Sequence, residues 1–404
     1  MSDADSIPAF PPRRTDPFAP PPEYAQWRAK CPVQKVRFPN GQEVWAITNH
    51  AGVRDILSKH DTEDLTANRF DPHFPALRAG VAGGKPDGAN ILYLDEPEHG
   101  RLRRMVAPVF THKKATAMRD GIQKSVDRAL DDMITAGPPC DLQTSLSLVI
   151  PSLVICQLLG VGYEHHPFFQ SVTGKLLSRD TPKEEFQPLL ESLHRFVTDL
   201  IEQEAADPSP DNILGHLLLN HEPGGEITRS QIAGMAMVLI IAGHETTATT
   251  ISMTLIQLLR TGQWDQLVAD PTLAPKFVEE AIRTQSIPDN TMLRLAKRDF
   301  ELQGHKISAG DRIVALMGAA NHDPAVFENP TTLDPSRPNL RQHVGLGHGV
   351  HVCLGQNLAR VELDVVFETL ARRLPHIRLD CSEADLDWKH DGFVFGVREV
   401  PVRW

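Results

Sequence analysis

The 404-residue chain reads as a mainly α-helical protein with small β-sheets, and three observations carry that reading. Apolar residues recur at helical spacing in most of the chain from Glu96 onward. The short alternating stretches that read as strands are few and do not recur as a β–α unit. One segment, ITRSQIAGMAMVLIIAGHETTATTISMTLIQLLR, is almost continuously apolar at its centre, as a helix through the middle of a core would be.

The opening stretch, IPAFPPRRTDPFAPPPEY, is expected to be an extended or irregular arm over residues 1–20, because each proline fixes φ and removes a backbone donor. Nothing downstream resembles a linker, so residues 21–404 are expected to form one domain. In PNGQEVWAITNH, Val44 to Ile47 read as a strand after an Asn-Gly turn, and Asn49 then caps a helix over AGVRDILSK. From Asp61 to Asn90 the chain is rich in Gly, Pro and Asp and reads as a long surface connection. Helices are predicted over residues 98–109, 115–136, 142–160, 183–206 and 228–260, with breaks at GPP (137–139) and DPSPDN (207–212) and a cap at Thr228. A helix containing FVEEAIRTQ, hairpin strands in ELQGHKISAGDRIVAL, an Asn/Asp/Pro-rich coil and a last helix, QNLARVELDVVFETLARRL, complete the order.

Composition narrows the function. The formal net charge of −11 and the lack of a basic stripe argue against nucleic-acid binding. No window reaches the roughly 18 consecutive apolar residues of a membrane span, so no membrane anchor is expected. The N-terminus lacks a basic region followed by an apolar signal core, and a cytoplasmic location is expected. Cys31, Cys140, Cys156, Cys353 and Cys381 form no CxxC pair, which argues against a disulfide scaffold or a zinc ribbon.

Two places stand out chemically. His244, Glu245 and Thr246 interrupt the apolar centre of the long helix, and burying such groups costs several kcal/mol unless something satisfies them. The four-residue separation also puts the Thr246 hydroxyl near the Ala242 carbonyl. In LGHGVHVCLG (346–355), Gly347, Gly349 and Gly355 surround Cys353 immediately before a helix. Glycines allow a tight loop to approach a flat cofactor, and a helix N-terminus favours negative charge on the sulfur.

That loop resembles the cytochrome P450 signature Phe-Gly-x-Gly-x-His/Arg-x-Cys-x-Gly at every position except Leu346, which replaces the aromatic and removes its ring packing beside the cysteine. Glu280 and Arg283 in EEAIR match the family's Glu-x-x-Arg pair, and Arg337 in LDPSRPN matches the arginine that completes it. AGHETT (242–247) matches the segment carrying the distal threonine and its acidic neighbour. ALMGAANHDP and GVHVCLGQNLAR are similar to the wording of soluble bacterial members, with His322 where arginine is usual. The resemblance spans roughly residues 20–404.

It implies the cytochrome P450 fold, with haem b between the long central helix and the cysteine loop and its helix. Cys353 would be the metal ligand, Thr246 and Glu245 would handle dioxygen and protons, and Glu280, Arg283 and Arg337 would form a structural network. His99 and Arg103, on one face of EHGRLRR, would bind the haem propionates with Arg294 and His351, and His343 is a further candidate donor. Substrate would meet the region before Leu92, residues 168–186, Ala242, Asn290 to Leu293, and the Phe393-Val394 turn. The implied reaction is monooxygenation, foremost C–H hydroxylation, of a hydrophobic secondary metabolite such as a macrolide, polyketide, terpenoid or steroid-like molecule. Electrons would come from NAD(P)H through a ferredoxin and its reductase, since the chain is too short to add a reductase. A basic surface including Arg103, Arg104, Lys113, Lys114 and Arg360 would dock an acidic ferredoxin. Broad xenobiotic hydroxylation, a peroxide-driven peroxygenase and a haem sensor without turnover are the alternatives; Thr246 with Glu245 argues against the last two.

Overall fold

The computed structural model describes residues 7–61, 63–69, 71–75, 90–178, 181–288, 292–390 and 394–404. Its frame is helical, and its axis is the helix Arg229–Arg260. Thr228 starts this helix with a full capping box: its side chain accepts from the Gln231 backbone while the Gln231 side chain accepts from the Thr228 N–H. The helix is long and apolar enough to span a bilayer, yet 61 % of its most apolar window is buried inside the protein. Helices Val149–Leu159, His166–Leu177 and Lys183–Ala206 pack along it, and Ala274–Gln285 and Gln356–Arg373 pack on it from elsewhere. Polar rungs fix the register between helices. Gln285 Nε2 donates to Thr254 Oγ1 at 3.0 Å, and Ser252 Oγ donates to Ser147 Oγ at 2.8 Å.

Several predicted elements change form in the fold. Residues 142–160 divide into a π-type turn, Gln143–Ser147, and the helix Val149–Leu159. The predicted helix 98–109 ends at Val106 and goes on as a 3-10 turn, Ala107–Phe110, at Pro108, and the predicted 115–136 starts earlier, at the Thr111 cap, as His112–Ala117 followed by Arg119–Ala136. Of the predicted hairpin region, Phe300–Leu302 and His305–Ile307 do pair with each other. The next strand, Arg312–Ala315, instead crosses to the main sheet and lies parallel to Glu43–Ile47. That sheet runs Val33–Arg37, Glu43–Ile47, Arg312–Ala315, Leu293–Ala296, Leu65–Thr66. Its last strand comes from the stretch expected to be only a surface connection.

Residues 7–20 are irregular, as proline dictates, but they are not set apart from the body. Phe10 is buried and stacks on Phe38 with ring centroids 5.1 Å apart, while Ala9 bridges in parallel to Arg37. Phe18 is buried edge-on to Trp388 at 6.0 Å. The arm therefore joins the start of the chain to its C-terminal hairpin.

Candidate active site

The cysteine loop is shaped by two glycines. Gly347 and Gly349 have φ of +78° and +69°, a region that side-chain-bearing residues rarely adopt. A Cβ on Gly349 would also lie 1.8 Å from the Leu57 carbonyl oxygen, so the loop seats directly on the backbone of the π-helical turn Ile56–His60. Cys353 N–H donates to the Leu346 carbonyl at 2.8 Å, closing the turn that delivers the sulfur to the start of the helix Gln356–Arg373. Burial pushes the Cys353 thiol up, against the Gly355 N–H and the charges of Arg103 and Arg360, which favour the thiolate. Arg103 Nη2 donates to the Val352 carbonyl at 2.6 Å, tying helix Glu98–Val106 to the loop.

Behind the loop, the network of Glu280, Arg283 and Arg337 is saturated. Arg283 and Glu280 are fully buried and make a two-pronged pair at 2.7 Å on each prong. The remaining Arg283 donors reach the carbonyls of Asn321, Pro330 and Thr332. Arg337 Nε also donates to Glu280 Oε1 at 2.9 Å, and its other nitrogens bind the carbonyls of Glu328, Asn329 and Thr332. His322 lies nearby as a buried group whose Nδ1 bonds the Gly318 carbonyl at 2.8 Å; burial and Arg283 push its pKa down to about 3.

The four remaining candidate propionate groups behave differently from this knot. His99 and His351 lie with ring centroids 4.1 Å apart, and the fields of Arg103 and Arg294 reach them. Burial, then Arg294, His99 and Arg103, push His351 down to about 2. His99 is buried; its Nδ1 contacts Glu96 at 3.3 Å, while Nε2 has no partner. Desolvation also lowers the pKa of Arg103. The desolvated Arg103 guanidinium beside an orphaned buried ring nitrogen suits a carboxylate-bearing group. With a cysteine sulfur one loop away, the donor set fits haem with its propionates.

Two assignments change. His343 is not a propionate donor here: Gly345 N–H donates to its Nδ1 at 3.1 Å, which leaves the proton on Nε2, 3.0 Å from Glu279 Oε1. Glu279 also accepts two bonds of 2.7 and 2.9 Å from Arg360, and this guanidinium together with the His343 hydrogen bond holds its carboxyl well below the usual range despite burial. Arg360, half-buried, is therefore paired within this cluster. Among the proposed docking charges Arg104, Lys113 and Lys114 are exposed.

Leu293 is likewise not a pocket wall. Alternation along its strand sends it into the small core with Phe38 and Trp27, while Arg294 takes the opposite face. There Arg294 is gripped by both oxygens of the buried Asp61. Asn290 and Phe393 lie outside the described residues, and Val394 is buried in the main core.

On the central helix, Ala242 is exposed although much of the surrounding helix is buried, so the helix opens onto free space at that point. The half-buried Thr246 donates to the Ala242 carbonyl at 2.6 Å. Leu92, 47 % exposed, sits on the 3-10 turn Ile91–Tyr93 that packs against this helix. His244 turns away and is fully buried, with Nδ1 2.9 Å from Thr173 Oγ1 and Nε2 3.2 Å from the Leu148 carbonyl. Glu245 is buried, and its Oε2 lies 3.5 Å from Lys389 Nζ. Sequence reasoning missed Asp61, Glu279 and Lys389. Glu279 alone left a signal, as the first acid of EEAIR; the other two are partners met only through packing.

Comparison with known proteins agrees with this geometry. The profile of the cytochrome P450 family matches residues 38–270 and 263–381. Pentalenic acid synthase of Streptomyces avermitilis is 39 % identical, covering 98 % of this chain and 97 % of that one. Vitamin D3 dihydroxylase of Streptomyces griseolus is 38 % identical over the same shares, 98 % and 97 %. The solved mycinamicin VIII C21 methyl hydroxylase of Micromonospora griseorubida, bound to mycinamicin VIII, superposes with a TM-score of 0.91 at 34 % identity, covering 98 % of this chain and 100 % of that one. With the glycine-shaped Cys353 loop, the orphaned His99 nitrogen beside Arg103 and the exposed Ala242 on the central helix joined to full-length likeness, the chain belongs to the cytochrome P450 family and is one of its monooxygenases.

Proposed function

We propose that this monooxygenase hydroxylates a C–H bond of an apolar secondary metabolite, drawing electrons from NAD(P)H through a ferredoxin and its reductase, in the cytoplasm. The observation that carries the site is the orphaned Nε2 of buried His99 within the cation cluster beside the Cys353 loop. The relatives named for pentalenic acid and vitamin D3, and the structure holding mycinamicin VIII, support a bulky, largely apolar substrate. The exposed Ala242 and Leu92 offer it apolar surface.

Haem, when bound, supplies dioxygen activation: one oxygen atom enters the C–H bond and the other leaves as water, consuming two electrons and two protons. Cys353 would hold the iron, and thiolate ligation of this kind is the familiar device of this family for favouring O–O cleavage. His99, Arg103, Arg294 and His351 would hold the propionates. Thr246, whose hydroxyl now rests on the Ala242 carbonyl, can rotate to donate into the open space and accept a proton in return. Glu245 is the neighbouring carboxylate able to resupply it. The exposed Arg104, Lys113 and Lys114 would face an acidic ferredoxin, so its docking should weaken with salt.

The test is a carbon monoxide difference spectrum of the reduced protein, followed by Soret titration with vitamin D3, mycinamicin VIII and a broader apolar metabolite panel. A thiolate-type spectrum and a saturable spin shift, followed by a product carrying one atom of labelled dioxygen, are expected. A spectrum without thiolate character would overturn the cofactor reading. Equal turnover of unrelated synthetic compounds would replace the metabolite reading with broad xenobiotic hydroxylation.

A further inference from the structure

Lys389 is 144 residues from Glu245 in sequence, and the fold brings them together by a specific route. Lys389 sits on a C-terminal hairpin in which Trp388 bridges to Val397, Lys389 N–H donates to the Gly396 carbonyl at 2.8 Å, and Arg398 N–H donates to the Asp387 carbonyl at 2.9 Å. The hairpin seats on the central helix at Gly396, where any Cβ would come within 2.6 Å of Thr249 Cγ2. That contact is three residues beyond Thr246. Lys389 Nζ then meets Glu245 Oε2 at 3.5 Å, with side-chain exposures of 21 % and 9 %. A carboxylate so far from water needs a partner to stay ionised and in place.

The hairpin is itself clamped by the N-terminal arm. Trp388 and Phe395 stack with parallel rings 5.9 Å apart. Phe18 meets Trp388 edge-on, and the Arg14 guanidinium lies 4.9 Å over Phe395. Arg260, from the end of the central helix, covers Phe18 at 5.3 Å and binds both oxygens of Asp16 at 2.6 and 3.0 Å. The arm thus ties the hairpin that carries Lys389 to the same helix that carries Glu245.

We propose that Lys389 is a positioning residue for proton delivery: it fixes the Glu245 carboxylate, the acid next to Thr246 in the helix, and arm residues 14–18 keep Lys389 in register by clamping its hairpin. The proposal rests on the monooxygenase reading. Its test uses the haem-loaded full chain with plant ferredoxin, ferredoxin reductase and NADPH, no organic substrate being added. Dioxygen consumption is read in H2O and in D2O, and hydrogen exchange is read over residues 386–390 and 394–398.

Lys389→Met should lower dioxygen consumption about tenfold and enlarge the solvent isotope effect. That is less than the roughly hundredfold or greater loss expected when an acid–base group itself is removed. Hydrogen exchange of the hairpin should stay unchanged, and Lys389→Arg should restore both kinetic readouts. Arg14→Ala should reproduce the defect while raising hairpin exchange. The proposal is overturned if Lys389→Met consumes dioxygen with the unmodified rate and isotope effect, or if its defect appears only with faster hairpin exchange and arginine does not restore it. A thiolate-type carbon monoxide spectrum in every variant separates those results from a failure of the monooxygenase reading.

Discussion

The buried knot behind the cysteine loop and the cluster of His99, Arg103, Arg294 and His351 draw on similar residues, with opposite outcomes. In the knot, Glu280, Arg283 and Arg337 answer one another and the carbonyls around them, so Arg283 can be fully buried without a loose donor. In the cluster, burial and then the charges of Arg294, His99 and Arg103 lower the proton affinity of His351, Arg294 is answered by Asp61, and His99 Nε2 is left without a partner. A satisfied network tells of folding. A buried nitrogen left over, as at His99, suits an anionic ligand.

That contrast can be broken from the structural side first. Arg283→Ala leaves Glu280 buried with one cation fewer and three carbonyls without that donor, and should cost about 3–5 kcal/mol of stability in denaturant unfolding. A loss under about 1 kcal/mol would show that the knot is not the anchor of the loop. Next comes Glu362, on the helix that follows Cys353. It is buried, its Oε2 has no partner, and burial pushes its pKa up to about 8 from an ordinary 4.5. The folded state binds this proton more tightly than the unfolded state does. Its contribution is therefore full below about pH 4.5 and is lost as pH rises through about 8. Relative to Glu362→Gln, the unmodified protein should lose on the order of 3 kcal/mol across that window. Parallel stability-versus-pH curves for the two proteins would refute the buried, proton-bearing carboxyl.

The smaller effects sharpen the functional side. On the proposed site, His99→Ala would remove one charge-assisted donor to the propionates, roughly 1.5–3 kcal/mol. Haem should transfer to apomyoglobin on the order of ten to a hundred times faster, with global stability of the haem-free protein changed little. If removing the orphaned imidazole leaves haem retention untouched, the cluster is not the propionate site. Leu293→Ala tests the opposite kind of correction: it should destabilise the sheet by about 2 kcal/mol or more and leave substrate-induced Soret shifts intact. A changed shift with unchanged stability would return Leu293 to the pocket.

Much of this protein was legible in its order of residues, because the relevant signals are local. The Thr228 cap, the apolar length of the central helix and the polar break at 244–246 all lie within one helix. The glycines around Cys353 act within ten residues of one another. Pairs at i,i+3 and i,i+4, such as Glu280 with Arg283 or His99 with Arg103, follow from helical geometry alone. The reading of His343 and Leu293 went astray where local pattern gives no direction: a histidine in a coil and the end residue of a short strand can each face either of two neighbours.

What the sequence determined by itself was the mainly helical class, the glycine-rich cysteine loop and the polar break in the central helix, all set by short-range periodicity and backbone conformation. Tertiary structure alone decided which charges meet. Asp61 reaches Arg294 across 233 residues, Glu279 reaches Arg360 across 81, and Lys389 reaches Glu245 from the far end of the chain. Ion pairing in a buried site depends on distances of a few ångströms and on exclusion of water, and those quantities arise only when distant segments pack.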